Sequence, residues 1–322
     1  MRTLKILVPL NDRACVSKYA NAGADEFYIG FHDENWLHRF GKFVDINRMS
    51  GFGKLANKYT LSDIKKLALD VKECDRKLFI TLNANAYSRD AREYIEKNYY
   101  PEFRAMNIDG LIVSDILSAS SAVKHGIPVT VSTMGAAYNC DIVKEYISIG
   151  AKRIILPRDL SLSEIESIVQ NCSEVEYEVF HMRNGCILSD SYCLGMHRPE
   201  CGATCSYLRY KDEQVITDLH SFIDDHNIEL NDFLYNMHFH NEACAMCAVY
   251  RFAKMGITSL KIVGRADDEE GILRDISLTA ENIQIANESE NEEEYLRDMQ
   301  FHDNVPQKCR LAFSCYYPEV RF

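Results

Sequence analysis

Six of the chain's twelve cysteines fall inside one window of 62 residues, with the spacing C-x6-C-x7-C-x3-C-x38-C-x2-C. Thiolates are soft ligands, and a clustered set of them favours an iron–sulfur or zinc site over a hard cation. In a reducing compartment, clustered cysteines indicate a metal site or catalysis more often than disulfides. The candidate metal ligands are Cys186, Cys193, Cys201, Cys205, Cys244 and Cys247.

The spacing also bears on which metal these cysteines bind. An iron–sulfur cluster takes four thiolates, commonly from a local run plus one distant residue. A structural zinc usually takes two Cys-x2–4-Cys knuckles, and the separation of Cys186 from Cys193 is too long for one. The pattern therefore favours iron–sulfur, with zinc and no metal as alternatives. The remaining cysteines are expected to lie away from the metal, as small hydrophobic residues in or beside helices or in the tail: Cys15, Cys74, Cys140, Cys172, Cys309 and Cys315.

The start of the chain and its charge limit the compartment and the partners. Residues 1–10 contain an apolar run too short for a secretory signal and no small-residue cleavage site, so we expect a cytoplasmic protein with reduced thiols. No run of about 18 apolar residues predicts a membrane span. The net charge of −12 and the pI near 5.3 count against a broad nucleic-acid-binding surface, although a local basic patch stays open.

Eight short apolar or β-branched runs recur along the chain, and helical patterns follow most of them. Near-continuous apolar runs are typical of parallel strands that are buried on both faces. A capping box at Ser161 and Glu164 predicts a helix over 162–170, and Thr60 or Ser62 can cap a helix over 63–71. Gly23, Gly150 and Gly256 are placed to end helices in the left-handed conformation. The predicted strands are 5–9, 25–30, 78–83, 110–114, 128–132, 153–157, 176–181 and 259–264.

Eight β/α units in about 265 residues predict an α/β fold of the (β/α)8 TIM-barrel type. No Gly-x-Gly-x-x-Gly follows any of the strands, which disfavours a dinucleotide-binding sheet. About 77 residues separate strands seven and eight, so a long Cys-rich insertion, 183–257, is expected at the C-terminal end of the barrel, where active sites are built. The predicted domains are a barrel over 1–288 and a tail over 289–322 that packs on the barrel or extends from it.

Several segments resemble the peptidase U32 family over most of residues 4–266. The likeness implies an oxygen-independent, [4Fe–4S]-dependent hydroxylase with prephenate as the oxygen source, although other relatives are described as collagenase-type proteases. It also implies Cys186, Cys193 and Cys201 as the core ligands, with the fourth drawn from Cys205, Cys244 or Cys247. The segments that carry the likeness are 21–30, 155–161, 178–186 followed by Cys193, 201–205 and 259–265.

The chain departs from the family pattern in three places. Arg183-Asn-Gly185 stands where His-Gly is usual before the first cysteine, and 241–247 replaces an Asn-Ser-Lys-Asp-Leu-Cys segment. The chain also ends soon after the predicted barrel, without the extra C-terminal domain of the longer RNA-modifying members. The identity of the substrate therefore does not carry over from any one relative.

Charged side chains near the predicted mouth are the candidates for substrate binding and catalysis. Arginine binds carboxylates through two parallel hydrogen bonds, so a dicarboxylate such as prephenate fits a set of arginines at the ends of neighbouring strands. A hydrogen-bonded structural histidine competes with a proton-shuttle role at His181, and a buried ion pair between Glu178 and Lys261 competes with an acid–base role. His238 and His240 are further candidate ligands. The catalytic candidates are Arg158, His181 and Glu178, and the substrate-binding candidates are Arg48, Arg183, Lys261 and Arg265.

Taken together, these features predict an iron–sulfur enzyme that transfers a hydroxyl group from a small anionic donor to an acceptor that the sequence does not identify, under anaerobic conditions. An RNA acceptor is disfavoured by the net charge, and either a homo-oligomer or a hetero-oligomer is compatible with the sequence. Two alternatives remain. The first is a U32-type protease, although six clustered cysteines are a poor way to present one nucleophile. The second is a non-catalytic barrel in which a zinc or a closed cluster only stabilises the long loop.

Overall fold

The structure is a computed structural model that describes residues 4–41, 44–183, 189–193, 243–301 and 315–320. Eight parallel strands follow one another in chain order and close into a barrel, because β1 pairs with both β2 and β8. The predicted (β/α)8 barrel is confirmed. The strands are Lys5–Pro9 (β1), Glu26–Ile29 (β2), Lys77–Leu82 (β3), Gly110–Val113 (β4), Val129–Val131 (β5), Arg153–Ile155 (β6), Glu176–Met182 (β7) and Ser259–Ile262 (β8).

The strands form where the sequence is apolar over several consecutive residues. Every residue of β2, β4, β5, β6 and β8 is buried, which is the pattern of strands covered by helices outside and by packed side chains inside. Each observed strand overlaps its predicted run and differs from it by at most two residues at either end. The strands are mostly shorter than the predicted runs because their last residues already belong to the loops at the mouth.

Helices in the described residues surround the barrel, and their ends match the predicted signals. Thr60 and Ser161 each form the expected capping box, with Asp63 and Glu164 respectively. Gly23, Gly150 and Gly256 end their helices with φ of 118°, 102° and 88°. The α-helices are Val16–Ala22 (α1), Glu34–Phe40 (α2), Leu61–Glu73 (α3), Arg89–Tyr94 (α4), Tyr100–Met106 (α5), Ile116–Lys124 (α6), Cys140–Ile149 (α7), Leu162–Asn171 (α8), Val249–Met255 (α9), Glu269–Glu288 (α10) and Glu292–Asp298 (α11).

A network of ion-paired side chains occupies the N-terminal half of the barrel interior. Arg153, at the start of β6, donates to Glu26 of β2 at 2.9 Å and to Glu178 of β7 at 3.3 Å. Lys261 of β8 donates to the other oxygen of Glu178 at 2.9 Å and lies 4.2 Å from the centroid of the Tyr28 ring. Glu26, Arg153, Glu178 and Lys261 are all at most 5% exposed. This end of the barrel is therefore filled by charges that neutralise one another.

Residues that follow β7 in the chain return to its C-terminal end and extend the hydrogen bonding there. Cys244 forms an antiparallel bridge with Met182, the last residue of β7, and a parallel bridge with Cys315. The backbone N–H of Arg183 donates to Ala243 at 2.6 Å, and the N–H of Ala245 donates to His181 at 2.8 Å. The three segments thus lie side by side at the rim, in the order β7, 243–245, 315–316.

None of the helices in the described residues combines the length and the apolar composition that crossing a bilayer requires. Most of the predicted insertion, 183–257, lies outside those residues.

Candidate functional site

Residues 189–193, in the connection after β7, are held at the mouth of the barrel by side chains from several other loops. Arg48, Asn85 and Tyr138 reach this segment from the connections after β2, β3 and β5. The amide of Asn85 donates to the carbonyl oxygen of Cys193, and Tyr138 shares a hydrogen bond with Ser189. Cys193 is thereby fixed at the C-terminal end of the barrel, where the active sites of this fold are built.

Asp190 is the central anchor of this segment. Its side chain is fully buried, and it accepts from Arg158 Nε at 2.9 Å, from Arg158 Nη2 at 3.2 Å and from Arg48 Nη1. Burial alone would raise the pKa of Asp190, but the charges of Arg158 and Arg48 hold it well below its ordinary value. The ion pairs are therefore present throughout the neutral range. Arg48 and Arg158, predicted to bind substrate and to assist catalysis, both form an ion pair with this carboxylate.

Arg48 also connects the cysteine-bearing segment to the interior. Its burial would lower its pKa, but the charge of Asp190 raises it above the ordinary value. Asn47, its neighbour in the chain, accepts from Arg265 at 3.2 Å, while Arg48 itself donates to Asp190. The segment 189–193 and Arg265 therefore belong to one site.

Arg265, three residues beyond β8, is a buried guanidinium that meets neutral groups. It is 5% exposed and donates to Thr81 at 2.9 Å, to Asn57 at 3.4 Å and to Asn47 at 3.2 Å. None of the carboxylates in the described part of the chain forms a salt bridge with it. Burial lowers its pKa to about 10, with Arg48 adding to the effect. A buried cation without a counter-ion is costly, so this position is prepared for an anion.

Gly30, just after β2, has no side chain, and the Arg265 guanidinium occupies the space where one would lie. A Cβ at this position would lie 2.1 Å from Arg265 Nη1 and 2.1 Å from Asn57 Oδ1. Any side chain here would therefore displace the guanidinium. The sequence analysis did not identify Gly30, Asn47, Asn57, Thr81 or Asp190 as site residues. Only Asp190 gave a usable signal, because it lies between two candidate ligands in the cysteine pattern.

Arg183 and the pair Glu178–Lys261 occupy other surroundings. Arg183 bonds to Asp275 of α10 and to Asp267 at 3.2 Å, and its backbone has a φ of 65°. Its charge therefore compensates two carboxylates on the side of α10. The predicted ion pair between Glu178 and Lys261 is present inside the barrel. Substrate binding by Arg183 and Lys261, and a catalytic role for Glu178, stay predictions.

His181 is fully buried, and neither of its ring nitrogens has a hydrogen-bond partner within the described ranges. Burial lowers its pKa to about 3, and the charge of Asp275 offsets only part of this effect. The imidazole is therefore neutral at pH 7. The proton-shuttle role predicted for it stays a prediction, and the structure gives it no proton-transfer partner among the described residues.

The depressed pKa of His181 predicts a loss of stability in mild acid. An unfolded chain protonates this histidine below a pKa of about 6.5, whereas the folded protein does so only near 3, so stability falls as the pH drops below about 6.5. At pH 5 the expected contribution is about 2 kcal/mol. Urea denaturation at pH 8 and pH 5 should show this difference in the wild type and its absence in His181→Leu. His38→Gln, at an exposed position, is the control; a wild-type loss that persists in His181→Leu would contradict the assignment.

Three of the six candidate cysteine ligands fall within the described residues. Cys193 is partly exposed at the mouth, whereas Cys244 and Cys247 are 4% and 6% exposed. None of the eight cysteines in the described ranges forms a disulfide, and no three His, Cys, Asp or Glu side chains there form a complete metal-binding group. Cys186, Cys201, Cys205, His238 and His240 lie outside the described residues.

The fold and site define a (β/α)8 barrel with a cysteine-bearing segment fixed at its mouth, close to a buried arginine that has no salt bridge within the described residues. The sequence profile of Peptidase family U32 matches residues 11–320, and the chain belongs to this family. The family resemblance seen in the sequence is confirmed.

Individual relatives are distant from this chain. An uncharacterized protease of Methanocaldococcus jannaschii is 24% identical over 88% of this chain and 66% of its own length. A tRNA hydroxylation protein P of Helicobacter pylori is 23% identical over 60% of this chain and 42% of its own length. The solved structure of the U32 peptidase Mk0906 has a TM-score of 0.48 and 10% identity, over 82% of this chain and 94% of that one. The chain thus spans about two thirds of the first protein and less than half of the second.

Proposed function

We propose that this chain is an iron–sulfur enzyme that transfers a hydroxyl group from a small carboxylate donor, of which prephenate is the candidate, to a second substrate. One observation carries the proposal: a cysteine-bearing segment and a buried guanidinium with no anionic partner in the described residues belong to the same site, linked by the adjacent residues Asn47 and Arg48. The names of the hydroxylation-type relatives give independent support.

The residues at the mouth fit such a centre chemically. Cys193 is fixed by Asn85 and by the Asp190 anchor. Cys244 pairs with Met182 at the end of β7, and Met182 precedes Cys186 by four residues in the chain. We assign Cys186, Cys193 and Cys201 as three ligands, from the family resemblance, and Cys244 as the fourth. The centre, when bound, supplies redox chemistry and a site for an oxygen-bearing substrate.

The protein's own side chains would bind and orient the donor. Arg265 offers a planar fork that Thr81, Asn57 and Asn47 hold in place, so one carboxylate of the donor can bind it without reorganisation. Burial excludes water from this contact and strengthens it. Asp190 keeps Arg48 and Arg158 fixed around the opening and thereby fixes the distance between the donor and the cysteine-bearing segment.

A protease function receives less support from the site. The family includes proteins named as proteases, and cysteine proteolysis needs a thiolate that is hydrogen-bonded to a histidine. His181, the buried histidine close to the mouth in sequence, has no hydrogen-bond partner at either nitrogen among the described residues. Within that part of the chain it therefore forms no such pair.

The proposal predicts the metal content of the protein after anaerobic reconstitution. The wild type should bind about four iron and four sulfide per chain and absorb broadly near 400 nm. Changing Cys186, Cys193, Cys201 or Cys244 to serine should remove most of the iron, because each change removes one ligand. Cys74→Ser, at the end of α3, is the matched control and should bind iron like the wild type. Stoichiometric zinc without sulfide, or full iron in all four variants, would contradict the proposal.

The hydroxyl acceptor requires a separate measurement. Several relatives are named tRNA hydroxylation proteins, whereas a net charge of −12 opposes binding of a large polyanion. Binding of bulk tRNA at 50 and 200 mM salt distinguishes the two cases. A tRNA acceptor predicts measurable affinity that falls steeply with salt, and a small-molecule acceptor predicts no binding at either concentration.

A further inference from the structure

The segment 315–320 is attached to the rim of the barrel by contacts at several points. The Tyr316 ring stacks on Phe180 of β7, with centroids 6.1 Å apart and an interplanar angle of 14°, and its hydroxyl donates to the carbonyl of Arg183 at 2.6 Å. Glu319 accepts from the backbone N–H of Leu162 at 2.7 Å, at the start of α8. Tyr317 packs edge-on against Phe252 of α9. These contacts fix residue 315 in place.

Cys315 is thereby placed beside Cys244. The two residues form a parallel bridge, and the N–H of Tyr316 donates to the carbonyl of Cys244 at 3.1 Å. Directly paired residues of neighbouring strands project to the same face, with backbones about 4.8 Å apart. The two thiols are therefore within reach of each other. They are 71 positions apart in the sequence, so only the fold brings them together.

The same segment also contacts the side chains that hold Cys193. The Arg158 guanidinium lies 4.2 Å from the centroid of the Phe180 ring and 6.0 Å from that of Tyr316, and it binds Asp190. Asp190 precedes Cys193 by three residues. The segment 315–320 thus contacts Cys244 through the backbone and is linked to Cys193 through Arg158 and Asp190, so it touches the surroundings of two of the three candidate ligands in the described residues.

We propose that Cys315 is a positioning residue for the metal ligand Cys244: its thiol donates a hydrogen bond to the Cys244 sulfur, while Tyr316 and Glu319 hold the pair at the rim. This inference rests on the proposed iron–sulfur centre. Hydrogen bonds to ligand sulfur stabilise the reduced, more negative state of a cluster and raise its reduction potential. Neither Cys244 nor Cys315 forms a disulfide in the structure.

The test compares Cys315→Ala with Cys315→Ser in the anaerobically reconstituted full chain. Alanine removes the donor, so the reduction potential should fall and iron should be lost to a chelator severalfold faster than from the wild type. Serine keeps a donor, so both quantities should return towards the wild-type values. Glu319→Gln weakens the anchor and should accelerate iron loss with a smaller change in potential. Cys74→Ala is the matched control, and thermal unfolding of the metal-free forms should show that all variants fold alike.

Three outcomes would overturn the inference. If Cys315→Ala keeps both the potential and the rate of iron loss, the thiol does not act on Cys244. If Cys315→Ala and Cys315→Ser both lose iron as completely as Cys244→Ser, Cys315 is itself a ligand. If a Cys244–Cys315 disulfide is found by mass spectrometry in the anaerobic protein, the two sulfurs bind each other. A wild type that binds no iron would instead contradict the proposed function.

Discussion

Replacing Arg153 with methionine should lower the free energy of unfolding by about 3–5 kcal/mol, because it leaves buried carboxylates without their cation. Arg153 is 2% exposed, and its guanidinium binds Glu26 and Glu178 inside the barrel and Glu176 at its edge. Glu178 keeps Lys261 as a partner in the variant, whereas Glu26 keeps a longer contact with Lys5, at 3.7 Å, and a hydrogen bond from the Ser259 hydroxyl at 3.4 Å. Denaturation in urea at pH 7 measures the loss.

Arg13 provides a matched control for this experiment. It forms an ion pair with Asp70 on the surface, where the two side chains are 51% and 27% exposed, so Arg13→Met should cost less than about 1 kcal/mol. The double variant Arg153→Met with Glu26→Gln should recover part of the stability, because the second change removes the unpaired charge. Equal losses in Arg153→Met and Arg13→Met would show that the barrel network is not a structural unit.

Replacing Arg265 with methionine should have the opposite profile, with loss of anion binding but little or no loss of stability. The wild-type guanidinium is a buried charge among neutral groups, so its removal relieves an unfavourable burial. For a bound carboxylate, removal of its charged partner costs about 2–5 kcal/mol, or roughly 30-fold to several thousandfold in affinity. Isothermal titration with prephenate, and with malonate as a simple dicarboxylate, gives the affinity.

Two further variants make this experiment specific. Arg158→Met removes an arginine that does have a carboxylate partner, so it should destabilise the protein by leaving Asp190 with Arg48 alone. Arg265→Lys keeps the charge but not the planar fork, and should bind the dicarboxylates more weakly than the wild type. Unchanged dicarboxylate binding in Arg265→Met would remove Arg265 from the proposed site and with it the main support for an anionic donor.

The strands and helix ends could be predicted because their signals are local. Apolar runs such as 110–113 and caps such as Thr60 depend on residues a few positions apart, and the structure confirms them. The Glu178–Lys261 pair could also be proposed, since each is a lone charge in an apolar strand and the two strands are neighbours.

The arrangement of the mouth could not be predicted because its contacts join distant parts of the chain. Asp190 and Arg48 are 142 positions apart in the sequence, and no local sequence pattern predicts a contact between them. Among the described residues, Arg265 donates to neutral groups alone. Its surroundings depend on side chains from several distant segments, so the sequence does not reveal them. The same holds for Cys315, which pairs with Cys244 although 71 positions separate the two residues in the sequence.

The charged side chains that fill the N-terminal half of the barrel have a kinetic consequence. Because Glu26, Arg153, Glu178 and Lys261 fill that end, we expect the donor of the proposed reaction to reach Arg265 from the rim formed by the loops. Arg265 lies beneath that rim, so under the proposed function the compound that binds it has to enter before the second substrate and leave after it. Initial-rate measurements should therefore follow a compulsory-order scheme, with the carboxylate donor as the leading substrate.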